Sequence, residues 1–132
     1  MLYIDLNKFK QINDEFGHDE GDKALAVFAN ILKNTVRGSD LITRLGGDEF
    51  AILLTDATKR LAEEVVKKLL HAKKEYNTNA NSGYNLYFSY GIVQFNIDKH
   101  PTVEALLAET DTKMYIHKKD MSISDNKRAL VM

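Results

Sequence analysis

The sequence predicts an α/β sandwich, in which helices pack on a mixed sheet of five strands. Short apolar runs of strand length alternate along the chain with longer segments whose apolar residues recur every three or four positions, as on one face of a helix. In chain order the predicted elements are β-α-α-β-β-α-β-α-β, a pattern typical of layered α/β folds. The 132 residues, 44% of them hydrophobic, are enough for one core and too few for a second domain.

The first strand is the apolar run Leu2-Tyr3-Ile4, which brings Asp5 to its carboxyl end. An acid at such a strand end is a common position for a metal ligand or a catalytic group. Lys8 to Phe16 follow with helical spacing, and Gly17 is placed to close that helix. A polar turn over residues 18–22 then leads to a longer helix, whose inner face is predicted to consist of Leu25, Phe28, Ala29, Leu32 and Val36.

A β-hairpin is predicted around Gly46-Gly47, because these glycines stand between the apolar runs 41–42 and 50–54. Residues 58–74 have the spacing of another amphipathic helix, with Thr58 or Asp56 as its N-terminal cap. The hairpin adds two strands to the predicted sheet, and the helix packs on that sheet.

The last third of the chain is predicted to hold a strand, a helix and a short edge strand. Asn85 to Phe95 alternate in polarity and are rich in aromatic and β-branched residues, which predicts a central strand. Pro101-Thr102 begin a long helix that ends at Lys118-Lys119, where the positive charges suit the helix dipole. Ala129-Leu130-Val131 complete the predicted sheet as an edge strand.

Composition excludes several classes of function. The formal net charge is −1 and the pI is near 6.4, so the chain offers no broad basic field for a nucleic acid, although a single nucleotide remains a possible ligand. No apolar run approaches the roughly 18 residues of a membrane span. The sequence contains no cysteine, which excludes disulfides, thiolate metal sites and cysteine nucleophiles and fits the reducing cytoplasm, where we expect this chain.

Two acids, Asp48 and Glu49, follow the glycine turn directly. At least one carboxylate is therefore held on a stiff strand beside a backbone that has no side chains to block a ligand. Carboxylates in such a position suit a hard cation such as Mg²⁺ and the phosphates that it carries. Considered alone, a Gly-Gly hairpin followed by Asp-Glu is more often a tight turn with a solvated strand end.

The motifs that bear on function are distributed over nearly the whole chain. They are Asp5-Leu6-Asn7-Lys8-Phe9-Lys10-Gln11-Ile12-Asn13-Asp14, Gly17-His18-Asp19, Gly21-Asp22, Arg44-Leu45-Gly46-Gly47-Asp48-Glu49-Phe50, Ser89-Tyr90-Gly91, Thr110-Asp111, Met114-Tyr115 and Lys118. In their order and spacing these motifs resemble the GGDEF family of diguanylate cyclases. The resemblance implies a palm-like, ferredoxin-like fold related to nucleotidyl cyclases, with a mostly antiparallel five-stranded sheet flanked by helices. It also implies the condensation of two GTP molecules into cyclic di-GMP, with release of pyrophosphate.

The resemblance assigns metal binding and catalysis to the first strand end, the first helix and the hairpin. Asp5, the carbonyl of Leu6, Asp48 and Glu49 would hold two Mg²⁺ or Mn²⁺ ions, which stabilise both oxygens of an in-line displacement. Asp48 would also accept the proton of the attacking hydroxyl. Lys10 would stabilise the charge of the transition state, although an exposed helix lysine commonly has no such role.

Substrate contacts are implied at two places. Asn13 and Asp22 can together read the guanine edge, and the resemblance places His18 and Leu25 near the base. The same two polar residues also suit helix caps, Leu25 fits the core equally well, and His18 suits a structural hydrogen bond. The triphosphate would contact the backbone amides of Lys8 and Phe9, which lie at a helix start. It would also contact Gly47 and Lys118.

A third site is implied by Arg37-Gly38-Ser39-Asp40, which lies five residues ahead of Gly46. This spacing matches the family's inhibitory site for its own product, cyclic di-GMP. The guanidinium of Arg37 can fork onto a phosphate or a guanine, and Asp40 can accept from guanine. In isolation, such a pair at a junction between helix and strand is usually only a surface ion pair.

Two departures from the family pattern leave a second function open. Ser122 stands where the family usually has a basic residue, and no Asp-x-Leu-Thr segment precedes Met1. We therefore expect residues 1–132 to be a single GGDEF domain that lacks the usual N-terminal segment, which in the family connects to a sensory or regulatory domain, in some cases within a membrane-bound protein. The alternative is an impaired domain that binds GTP or cyclic di-GMP and signals by contact. A phosphodiesterase, or a cyclase with another product, leaves the motifs unexplained.

The product itself predicts the assembly. Each domain can hold one GTP in this site, whereas cyclic di-GMP is two-fold symmetric and contains two nucleotides. Two copies of the chain must therefore meet face to face, and the active form is expected to be a homodimer.

Overall fold

The structure is a computed structural model that describes residues 1–80 and 83–131, with side chains described as far as residue 120. Four strands and four helices follow one another along this part of the chain: β1 (Leu2–Leu6), α1 (Phe9–Phe16), α2 (His18–Thr35), β2 (Leu41–Arg44), β3 (Glu49–Leu53), α3 (Lys59–Asn79), β4 (Phe88–Ile92) and α4 (Val103–Val131). None of these helices is both long and apolar enough to cross a membrane.

The strands form one antiparallel sheet in the order β2-β3-β1-β4. Strand β1 lies inside the sheet, and its Asp5 is paired with Glu49 of β3 on one side and with Ser89 of β4 on the other. The polar carboxyl end of β1 is thus brought beside the start of β3. The predicted α/β architecture is confirmed, with four strands in the described part of the chain rather than five.

The main core lies between one face of the sheet and helices α2 and α3. Leu2, Ile4 and Leu6 of β1 alternate toward this face and are fully buried. The ring of Phe28 from α2 packs 5.4 Å from the ring of Phe50 and 5.9 Å from that of Phe88, measured between centroids. These aromatic contacts join α2 to strands on both sides of β1.

Helix α4 covers the opposite face of β4 and β1. Its closest approach is at Gly91, where an added Cβ would lie 2.5 Å from both Met114 N and Thr110 O. Only glycine allows the helix backbone to lie this close to the strand. Met114 and Thr110 are both buried in this interface.

Two strand predictions are wrong. The strand that the sequence places at the centre is β4, which lies at an edge of the described sheet. The sequence of β4 resembles that of a buried central strand because helix α4 packs closely on it at Gly91 and buries its residues. The predicted edge strand Ala129-Leu130-Val131 belongs to α4, which continues through Val131. Its neighbours Lys127 and Arg128, like alanine and leucine, are strong helix formers.

The helix boundaries also differ in part from those predicted. Gly17, with φ 92°, does end α1, but α2 begins at the next residue, so the predicted polar turn is the first turn of α2. Asp19 and Glu20 suit this position, since acids are favourable near the positive end of a helix. Of the two predicted caps of α3, Thr58 is the one used, and its hydroxyl accepts a bond of 3.2 Å from Leu61 N.

Candidate active site

Three carboxylates meet where β1 ends and β3 begins. Asp5, Asp48 and Glu49 each offer an oxygen, and these oxygens all lie within 4.8 Å of one another. Backbone pairing produces this arrangement, because Asp5 is registered with Glu49 and Leu6 N donates to Asp48 O at 3.1 Å. The structure thus brings together the acids that the sequence singled out, although Asp5 precedes Asp48 by 43 residues.

The side chain of Arg44, the last residue of β2, holds the glycine turn through its backbone carbonyls. Its Nε donates to Gly46 O at 3.0 Å, and its Nη2 donates to Gly47 O at 2.7 Å. Leu45 N closes the turn with a bond of 2.8 Å to Glu49 O. The turn backbone is therefore fixed by bonds that do not use the acid side chains, and a Cβ built on Gly47 would contact nothing within 4 Å.

Two supporting residues were missed from the sequence. The sequence identifies Arg44 as part of a motif but assigns it no role. An arginine two residues before consecutive glycines is nevertheless placed to reach their carbonyl oxygens. The hydroxyl of Tyr3 donates to Glu49 Oε2 at 2.9 Å. Tyr3 and Asp5 are two residues apart on one strand and therefore share a face of the sheet. This spacing is the feature of the sequence from which a place for Tyr3 beside the acids could have been predicted.

Asp5 is the most constrained acid of the cluster. It is only 4% exposed, its Oδ2 accepts from Lys118 Nζ at 2.9 Å, and its Oδ1 is buried with no hydrogen-bond partner in the described part of the chain. Burial and, to a smaller extent, the neighbouring Asp48 raise the pKa of Asp5 to about 7, against the opposing effect of Lys118. A buried carboxylate oxygen without a partner is a natural position for a cation.

Helix α1 starts beside the acid cluster, and two residues separate it from the end of β1. Lys8 precedes it in the left-handed region, with φ 58°, which is uncommon for a residue other than glycine. No side chain caps the helix, so the first amides, which include that of Phe9, have no helical partner and are suited to an anion. Lys8 and Lys10 are exposed, and Phe9 is half-buried against the core.

The predicted guanine contacts gather at the junction of α1 and α2. Asn13 lies half-buried in the middle of α1, and its side chain lies against α2, so that a Cβ on Gly21 would be 1.7 Å from Asn13 Oδ1. His18 and Asp22 are exposed in the first turns of α2. Leu25 is 9% exposed and belongs to the core cluster.

Arg37 and Asp40 form a bonded pair between α2 and β2. Asp40 accepts from Arg37 N at 2.9 Å, from the guanidinium at 3.3 Å, and from Thr55 N at 3.0 Å. Burial alone would raise the pKa of Asp40, but these hydrogen bonds from Thr55 and Arg37 hold it below its usual value. The side chain of Asp40 is closed to solvent, whereas that of Arg37 is 48% exposed. Arg37 is therefore the member of the pair that solvent reaches.

The antiparallel sheet flanked by helices, with a glycine turn that brings acids beside the end of β1, places the chain in the structural class of GGDEF domains. The chain belongs to the GGDEF family: the family model described as "Diguanylate cyclase, GGDEF domain" matches residues 1–123. The GGDEF domain of PA1120 (YfiN or TpbB) from Pseudomonas aeruginosa has a TM-score of 0.77 at 34% identity, covering 90% of this chain and 74% of that one. The diguanylate cyclase SiaD from the same organism has a TM-score of 0.80 at 26% identity, covering 90% and 45%.

Curated relatives are similar over the same region. The probable diguanylate cyclase DgcJ of Escherichia coli (strain K12) is 34% identical over 123 residues, which are 90% of this chain and 23% of that protein. The diguanylate cyclase DosC of the same strain is 34% identical over 119 residues, 90% of this chain and 26% of that protein. The chain thus spans about a quarter of the length of these relatives.

Proposed function

We propose that this chain is a diguanylate cyclase domain that condenses two GTP molecules into cyclic di-GMP and releases pyrophosphate. The observation that supports this most is the meeting of the carboxylates of Asp5, Asp48 and Glu49 within 4.8 Å, next to an uncapped helix start. Membership of the GGDEF family supports the same reaction.

The acid cluster suits a divalent cation. Its donors are hard oxygens, and the buried Oδ1 of Asp5 has no protein partner among the described residues. Asp5, Asp48, Glu49 and the carbonyl of Leu6 would hold Mg²⁺ or Mn²⁺, with two ions per site. When bound, the ions supply positive charge to the attacking and leaving oxygens.

The proposed reaction is a phosphoryl transfer that occurs twice. The 3′-oxygen of one GTP bonds to the α-phosphorus of the other, the bond from that phosphorus to the β-phosphate oxygen breaks, and pyrophosphate leaves with the bonding electrons. Asp48 takes the proton of the 3′-hydroxyl, and Lys10 stabilises the charge that builds on the phosphate. The second transfer, with the roles of the nucleotides exchanged, closes the ring.

Binding would use both sides of α1. The amides of Lys8 and Phe9, the open backbone of Gly47 and the ammonium of Lys118 would hold the triphosphate. Lys118 would leave Asp5, where its charge now compensates the carboxylate. Where α1 meets the first turns of α2, Asn13 and Asp22 would read guanine beside His18 and Leu25, and adenine would leave their polar groups unpaired.

The two-fold symmetric product requires two copies of the domain, and we expect both their approach and their activity to be controlled. A homodimer would bring two such sites face to face, and a sensory or regulatory domain elsewhere in a longer protein would control their approach. Cyclic di-GMP would bind at Arg37, whose half-exposed guanidinium can fork onto a phosphate, with Asp40 holding that guanidinium in place.

The test is to incubate purified chain with GTP and Mg²⁺ and to measure cyclic di-GMP and pyrophosphate by chromatography. Asp48→Asn should abolish both products, whereas Asp98→Asn, which changes an exposed acid between β4 and α4, should retain them. Product that persists in Asp48→Asn would remove Asp48 from catalysis.

The second candidate is a GTP-binding or cyclic di-GMP-binding module without turnover. It is favoured by Ser122, which stands where the family usually has a basic residue. Nucleotide binding at saturation, with neither product formed by wild type, would select this function over the cyclase.

A further inference from the structure

His117 makes an unusual connection between α4 and the sheet. Its Nδ1 accepts a hydrogen bond of 3.0 Å from the backbone N–H of Tyr90, and the two rings lie 4.4 Å apart between centroids. Because Nδ1 accepts, the ring must be neutral, with its proton on Nε2. Burial lowers the pKa of His117, against the opposing effect of Asp120, and this favours the accepting form.

The N–H of Tyr90 belongs to an edge strand. Strand β4 pairs with β1 on one side, and in the described sheet no further strand lies on its other side. An edge N–H that is partly buried needs a partner, since an unmade hydrogen bond there is costly. A side chain from α4 supplies that partner, so the contact determines how this turn of the helix sits on the strand.

The residue after His117 is Lys118, whose ammonium reaches Asp5 Oδ2 at 2.9 Å. The side chain of Lys118 is 45% exposed, and its four-carbon stem limits how far the ammonium can reach, so the contact with Asp5 requires the helix backbone to lie within that reach. The tight approach at Gly91 fixes α4 at Thr110 and Met114, one turn earlier. Beyond that turn, the hydrogen bond from Tyr90 N to His117 links the helix to the strand beside the acid cluster.

We propose that His117 is a positioning residue of the active site: by accepting the edge N–H of Tyr90, it holds α4 in the rotation that presents Lys118 to Asp5 and, in turnover, to the triphosphate. The inference rests on the proposed function for the role of Lys118. His117 itself touches neither substrate nor metal ligands. Its effect on the reaction passes through its neighbour.

Two substitutions separate the hydrogen bond from the bulk of the ring. His117→Asn keeps an acceptor near the position of Nδ1, and His117→Leu keeps much of the volume without one. Mn²⁺ binding in the absence of nucleotide is measured by electron paramagnetic resonance, and the KM for GTP is measured with Mg²⁺. Since Lys118 competes with a cation for Asp5, His117→Leu should tighten Mn²⁺ binding and raise the KM, each by about threefold or more, with His117→Asn closer to wild type.

A double-mutant cycle decides whether the effect passes through Lys118. In a Lys118→Met background, His117→Leu should change neither the Mn²⁺ affinity nor the KM further, because the group being positioned is gone. A role in stability alone predicts that both measurements change equally in the two backgrounds. That result would overturn the proposal, as would Asn and Leu variants that behave alike, or a Lys118→Met variant that binds Mn²⁺ like wild type.

Failure of the proposed function gives a different pattern. A chain that binds Mn²⁺ but makes no cyclic di-GMP still tests the positioning, because Mn²⁺ binding needs no turnover. If no Mn²⁺ binds at all, the metal assignment fails, and amide hydrogen exchange of residues 115–120 decides the inference. Exchange there must be faster in His117→Leu than in His117→Asn; equal rates would refute it.

Discussion

Replacing Asp5 by asparagine should stabilise the metal-free protein at alkaline pH. The carboxyl group of Asp5 is 4% exposed and leaves one oxygen without a partner in the described part of the chain, so its ionised form is poorly compensated. Asparagine has nearly the same shape and no charge. The substitution therefore removes the cost of a buried charge, while it also removes the ion pair with Lys118.

The magnitude follows from the pKa of Asp5, which rises from 3.8 to about 7 on folding. Because the folded pKa is the higher one, the stability from this group is complete below the unfolded pKa and is lost as pH rises through 7. The three-unit rise corresponds to about 4 kcal/mol at most. Solvent screening and the lost contact with Lys118 reduce the net gain of Asp5→Asn to about 1–2 kcal/mol at pH 8.

Thermal unfolding in EDTA measures this gain. About 1–2 kcal/mol corresponds to a rise in Tm of roughly 3–10 °C for a chain of this size. The difference between variant and wild type should shrink at pH 5, where Asp5 is largely protonated in the folded protein. Asp14→Asn, at an exposed position on α1, is the matched control and should shift the Tm little at either pH.

Adding Mg²⁺ should reverse the order. A ligand that binds the folded state raises its stability, and the wild-type cluster offers one more carboxylate than the variant. Wild type should therefore gain more Tm from Mg²⁺ than Asp5→Asn does. A variant that is less stable than wild type at pH 8 in EDTA, or a difference that does not depend on pH, would refute the reasoning about the buried charge.

Three further substitutions test other parts of the molecule. Arg37→Ala should raise the cyclic di-GMP concentration needed for inhibition by about tenfold or more, as measured from initial rates, because the guanidinium fork is lost; unchanged inhibition would remove Arg37 from the product site. Gly91→Ala should lower the free energy of unfolding, measured with urea, by about 2–3 kcal/mol, because its Cβ would lie 2.5 Å from backbone atoms of α4. Gly38→Ala should lower it far less, because a Cβ there would have nothing within 4 Å. Gly21→Ala should displace the Asn13 amide and raise the KM for GTP about tenfold, yet leave helix stability unchanged or improved; an unchanged KM would argue against Asn13 as a guanine contact.

The acid cluster was predictable because each of its members is encoded locally. A short apolar run ends in Asp5, and consecutive glycines precede Asp48 and Glu49. Antiparallel pairing of a strand end with a hairpin start then brings the three together. The position of Lys118 against Asp5, 113 residues away, has no such local signal, because it depends on how α4 docks.

The errors in the sheet have the same origin. The sequence of β4 is rich in aromatic residues, as a central strand would be, and only the docking of α4 at Gly91 reveals that a helix provides the burial. The last residues of the chain could be assigned to a strand because three apolar residues carry no periodicity of their own. Local patterns thus identified the strands of the active site, and long-range packing decided the sheet edge.

The way in which the turn is held affects how acid substitutions can be interpreted. Arg44 bonds to the carbonyls of Gly46 and Gly47, and Leu6 bonds to the carbonyl of Asp48, so the loop is fixed through its backbone. The side chain of Asp48 takes no part in these bonds. Loss of turnover in Asp48→Asn can therefore be assigned to the proposed roles of its carboxylate in metal binding and proton transfer rather than to collapse of the turn. For Glu49 the same inference is weaker, since its carboxylate also accepts from Tyr3 and links β3 to β1.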